Sequence, residues 1–166
     1  MTCEQPSIVK EMMTSGTGNR SMTKDEIRQL LETCLERESP GFEPPSIEDW
    51  RSLENRFACR FPAEMRDFID LMAEYAFPGE ILNVGKRPNY GNDTIEFSYD
   101  FESKENPTWA AEMIPFYSIG NGDYFCVSSL QCPETPVFYY YAEQGRFKHY
   151  SDRFEKWIEE LPQFLS

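Results

Sequence analysis

Histidine is almost absent from this sequence. His149 is the only one in 166 residues. That removes His-rich zinc sites and most relay-type acid–base mechanisms, because histidine is the side chain that ordinarily titrates near neutral pH. His149 itself stands in a short strand pattern beside Tyr150, where a structural or surface role is expected over a catalytic one. Long apolar runs are missing as well. No stretch approaches the roughly 18–20 residues that span a bilayer. Residues 1–22 carry Glu4, Lys10, Glu11 and Arg20 where a secretory signal would be uninterruptedly apolar. Cytoplasmic residence with no membrane partner is the expectation.

The glycine motifs of nucleotide binding are also lacking. Gly120 to Gly122 has neither the length nor the Lys-Ser/Thr ending of a phosphate loop, and Gly16-Thr17-Gly18 follows no strand. There is no G-x-S-x-G elbow. The five cysteines, Cys3, Cys34, Cys59, Cys126 and Cys132, form no CxxC and are odd in number. Reduced, buried thiols are expected rather than a disulfide framework, and the spacing offers no ligand pair. Neither a cofactor nor a metal is expected, and no catalytic residue is assigned.

Basic residues are the next shortage. Sixteen Lys and Arg face twenty-nine Asp and Glu, a net charge of −13. The imbalance is local: residues 93–143 hold nine acids and a single base, Lys104. A field of that sign repels nucleic acid and attracts a basic protein, whose encounter it speeds. The plainer alternative is that acidity only keeps the chain soluble. Composition also leaves room for a hydrolase using two carboxylates. Asp123, after the Gly120–Gly122 turn, is expected to hydrogen-bond the turn backbone rather than a metal.

What is present is a patterned, aromatic-rich chain. Residues 1–22 show no periodicity beyond a helical patch over 8–13 and read as a flexible tail; residues 23–166 read as one domain. Thr23 and Glu26 form a capping box ahead of a helix ending near Glu38. Ser46 caps a second helix on Trp50, Leu53 and Phe57, and Pro62 opens a third on Met65, Phe68 and Ile69. The period then shifts to two. Strands are expected over 80–84, 94–101, 113–119, 124–129, 137–142 and 147–150, before a last helix capped by Ser151 and built on Phe154, Trp157, Ile158 and Leu161. The fold class is α+β, a largely antiparallel five- to six-stranded sheet packed against helices, three before the strands and one after. In 94–101, Ile95, Phe97, Tyr99 and Phe101 are expected on the apolar face, with Glu96 and Asp100 on the polar one. Asp93, Glu96, Asp100 and Glu102 are then the candidate partner-binding residues. The run Phe138 to Tyr141 points to both faces of its strand, so either some rings face solvent or a second layer covers them.

Trp50-x-x-Leu53-Glu54 followed by Phe61-Pro62-x-x-Met65-Arg66-Asp67-Phe68-Ile69 resembles the opening motif of the SUKH superfamily, in the Smi/Knr-type group that includes the fungal cell-wall-assembly regulator. Ile114-Pro115-Phe116-Tyr117-x-Ile119-Gly120-Asn121-Gly122-Asp123 resembles its central hairpin. Pro136 to Tyr140, then Tyr150-Ser151-x-x-Phe154-x-x-Trp157-Ile158, resembles its closing strand and helix. The resemblance covers roughly 46–161. It implies helices against one sheet, and binding rather than catalysis. The implied partner is a basic toxin domain such as a nuclease, neutralised by an immunity protein; the alternative is a regulatory or scaffold role of the cell-wall type. Trp50, Pro62, Gly120, Gly122, Asp123 and Trp157 match positions that determine the fold.

Overall fold

The computed structural model describes residues 20–38, 43–85 and 92–166. The tail read over 1–22 lies outside the described residues as far as 19, as do residues 39–42 of the connector and the Lys86-Arg87 part of the polar loop. At Arg20 the chain is already held. Arg20 pairs with Glu26 at 2.7 Å, Ser21 Oγ meets the Glu64 carboxylate, and Met22 packs against the core.

Three helices come first: α1 (Lys24–Glu32), α2 (Ile47–Phe57) and α3 (Ala63–Leu71). The expected capping box forms, and the Ser46 cap proves to be a second one. Thr23 and Glu26 exchange side-chain-to-backbone bonds at the start of α1, and Ser46 and Asp49 do the same at α2. Pro62 stands at the cap of α3 rather than inside it. Helix α1 stops at Glu32, short of the expected Glu38.

The sheet has five antiparallel strands in sequence order: β1 (Glu80–Ile81), β2 (Met113–Ser118), β3 (Tyr124–Ser128), β4 (Val137–Tyr141) and β5 (Arg146–Ser151). Gly120 and Gly122 turn the β2–β3 hairpin with φ of 95° and 93°, a region that L side chains rarely occupy. Helix α5 (Phe154–Phe164) closes the fold. Its cap position is Arg153, not Ser151, and makes no side-chain capping bond. The architecture is α+β, as the segregation of helical and strand periods predicts.

One expected strand is a helix. Residues 94–101 do not extend the sheet; α4 (Ile95–Glu105) runs between β1 and β2 and packs on β2. Thr94 caps it by accepting the Phe97 N–H at 3.2 Å. Its buried side is Ile95, Ser98 and Glu102, at the i, i+3, i+7 spacing of one helical face. The acids placed on a polar sheet face therefore sit around a helix instead.

Both sheet faces carry packed aromatics, and in the two-sided run of β4 Tyr140 is buried, Phe138 and Tyr139 pack at the core edge, and Tyr141 stays partly exposed. On one face Trp157 of α5 packs against Phe68 of α3 and against Phe116, Tyr117 and Phe125. On the other, Trp109 packs edge-on to Tyr124, Tyr140 and Phe147. A shift in register between Pro115 and Tyr117 lets neighbouring Phe116 and Tyr117 both reach Trp157. A disulfide joins Cys59, just past α2, to Cys132 between β3 and β4, with Cα atoms 5.6 Å apart. This corrects the expectation of reduced thiols. The two residues are 73 positions apart, and the fold brings the end of α2 beside the β3–β4 connection, which spacing alone does not disclose.

Candidate functional site

The family-like residues build scaffold first. The Glu54 carboxylate accepts the Phe61 N–H at 2.9 Å and pairs with Arg66, whose guanidinium lies over the Trp50 ring at 5.5 Å. One acid thus ties the turn between α2 and α3 to the third helix. Asp123 does the same for the sheet. Its two oxygens accept Ala142 N–H at 2.8 Å and the Tyr139 phenol at 2.9 Å. It bonds the end of the neighbouring strand pair rather than the backbone of its own turn; from the turn it accepts only the Asn121 side-chain amide at 3.4 Å, and Asn121 Oδ1 accepts the Asp123 N–H.

The four candidate binding acids do not share one surface. Glu96 and Asp100 face α2, where Arg56 pairs with both, at 3.6 Å to Glu96. The same guanidinium lies 5.3 Å from the Phe57 ring and 5.6 Å from Tyr99. Glu102 turns inward to 9% exposure. It accepts the Asn106 side-chain amide at 3.0 Å, and Asn106 and Thr108 continue the network to the Tyr140 hydroxyl at 2.7 Å. Burial first, then the charge and hydrogen bond of Glu102, push the Tyr124 phenol well above its ordinary range.

Asp93 pairs with Glu80 at the edge of a cleft of about 320 Å³ that Glu38, Tyr75 and Asn83 also line. The hydrogen bond to Asp93, then burial, then the Asp93 charge raise the Glu80 carboxyl above its ordinary value. Among the described residues this pair is a candidate carboxylate dyad. Glu80 is exposed, however, whereas a carboxyl that serves as general acid near neutral pH is held protonated by burial in an apolar pocket.

The remaining candidates for chemistry are occupied elsewhere. His149 contacts Asp152 at 3.2 Å and sets its ring edge-on to Phe138, at the surface. Cys126 is fully buried, and burial pushes its thiol well above the ordinary range, away from the thiolate a nucleophile requires. Among the described residues no three His, Cys, Asp or Glu side chains converge to hold a metal ion. No helix there is long and apolar enough to cross a membrane.

Two features around α4 are not disclosed by the strand pattern. One is Arg56 of α2, next to Phe57 of the apolar stripe. Phe97 and Phe101, expected on the buried face of a strand, are 45% and 52% exposed. The signals that would have found them are the cap Thr94, Glu96 in the first turn and Lys104 in the last, which suit a helix dipole.

A family model described as SMI1-KNR4 cell-wall (SUKH_5) matches residues 24–163. No curated protein matches the chain.

Proposed function

Because the chain belongs to the SUKH_5 family, SMI1-KNR4 cell-wall, we propose that it works by binding another protein and carries no reaction of its own. The proposed partner is a basic protein, and in the immunity reading a toxin domain such as a nuclease, held inactive in the complex. The observation that carries this is the uneven charge: nine acids against Lys104 over residues 93–143. Enzymes that grip phosphate backbones are basic for that purpose, and an acidic domain meets them quickly and competes for the same groups. The satisfied state of Asp123, Glu102 and Cys126 supports binding over catalysis, since each already has a structural task.

A second reading, regulation or scaffolding of the cell-wall type, is favoured by the family's own description. Both readings place the protein in the cytosol. There the Cys59–Cys132 bridge would meet glutathione and thioredoxin, so its state in freshly lysed, alkylated cells reports the compartment. The experiment that separates the two readings is affinity isolation of the native complex, followed by assay of the partner. A stoichiometric basic partner whose activity is lost on binding supports neutralisation. A partner that stays active, or belongs to wall synthesis, supports regulation. A chain that turns over a substrate alone overturns both.

A further inference from the structure

Helix α4 is anchored and yet leaves an aromatic surface open. Ile95 is fully buried, Ser98 and Glu102 nearly so, and the Thr94 cap fixes the first turn. On the solvent-facing flank, Phe97 and Phe101 lie one turn apart with ring centroids 6.5 Å apart and planes within 14°. Together they form one contiguous apolar patch, each ring about half exposed. Isolated exposed hydrophobics need no explanation, but two large rings stacked on a rigid helix differ from scattered exposure. Such a helix repeats its apolar residues on both sides, more than packing on a single sheet calls for.

The border of this face is charged. Asp100 and Glu105 are 61% and 53% exposed at their side chains, and Glu96 lies beside Arg56. Glu96, Asp100 and Glu105 outnumber Arg56 and Lys104, within the wider acidic half of the chain. An aromatic centre with a polar rim is the anatomy of a protein interface, and aromatic anchors on pre-ordered backbone lose little entropy on binding.

We infer that the outer face of α4 is a docking surface, with Phe97 and Phe101 as anchors, for a partner that offers an apolar socket bordered by lysine or arginine. This rests on the protein-binding function proposed above and specifies where the partner sits. The charge excess of residues 93–143 selects the basic partner; the rings give it a point of attachment that charge alone does not.

The test uses the full chain and a synthetic amphipathic helix of leucine and lysine, with amide spectra to map binding and fluorescence anisotropy to measure it. Binding should perturb the amides of α4. Phe97→Ser with Phe101→Ser should weaken binding at least about tenfold, the scale of a hot-spot pair. Leu130→Ser should leave it unchanged, since Leu130 is exposed but stands alone. A peptide with serine replacing leucine should bind at least about tenfold more weakly, because apolar anchoring is lost. Perturbation centred on β5, equal binding of the serine peptide, no binding at all, or an unchanged affinity in the double variant overturns the inference. Thermal melts of the variants confirm that they fold. Failure here leaves the native-complex experiment untouched, while failure to isolate any complex removes the function without altering the peptide result.

Discussion

Tyr139 donates its phenol to Asp123 across the β3–β4 pair, at 2.9 Å, and the other oxygen of that carboxylate accepts the Ala142 N–H at 2.8 Å. Asp123→Ala removes both acceptors and should lower unfolding free energy by about 1–3 kcal/mol, measured by urea denaturation. Asp123→Asn keeps one acceptor and should fall between. Calcium, magnesium or chelator should shift neither melting temperature; a metal-dependent shift in the parent chain would mean that Asp123 holds an ion.

Arg56 pairs with Glu96 and Asp100 from half-exposed positions. Arg56→Ala should therefore cost less than about 1 kcal/mol, as exposed pairs do. It should also raise the association rate of a basic probe, more at low salt than at high, because two carboxylates lose their internal counter-charge. Stopped-flow mixing with the leucine–lysine helix reads both. A loss of several kcal/mol would show that Arg56 is structural.

The helical and strand periods were legible wherever one face is cleanly apolar. The Thr23–Glu26 box, the Ser46 cap, the stripe on α3, and the Gly120–Gly122 hairpin formed as their residues predict. Residues 94–101 misled because alternation is a poor guide when a helix has apolar residues all round. Ile95 faces the core, Tyr99 meets Phe57 at 4.8 Å, and Phe97 and Phe101 face solvent. Ser98 and Glu102 occupy inward positions that a hydrophobic count assigns to solvent. Glu102 is tolerated there by Asn106 and Tyr124, partners that only the folded chain brings together. The charge excess was read correctly as a count, but its geometry depended on that one element.

Glu80 gives a pH dependence with a definite sign. Its carboxyl is raised from 4.5 chiefly by the hydrogen bond to Asp93. The folded state therefore holds a proton that the unfolded state releases. The stabilisation is full below pH 4.5 and is lost as pH rises through the raised folded value. Glu80→Gln keeps a donor for Asp93 without the charge. It should be more stable than the parent at neutral pH and equal to it in acid, by urea midpoints across that range. A parent more stable at neutral pH than Glu80→Gln would contradict the shared proton.

The Cys59–Cys132 bridge closes a long loop between the helical layer and the β3–β4 connection. Reduction should lower stability by about 2–4 kcal/mol, chiefly by freeing the unfolded chain, while far-ultraviolet circular dichroism stays the same. Intact mass after alkylation without reductant should show two fewer labelled thiols than after reduction. Full labelling without reductant would mean that the bridge is open.

The central claim is that this acidic domain recognises a basic protein through α4. The most direct measurement is the association and dissociation kinetics of the native partner with the parent chain and with Phe97→Ser/Phe101→Ser, at low and high salt. Association should slow steeply with salt in both. Dissociation should be at least about tenfold faster in the double variant, the size of a lost hot spot. Association indifferent to salt, with dissociation unchanged by the two serines, would contradict it.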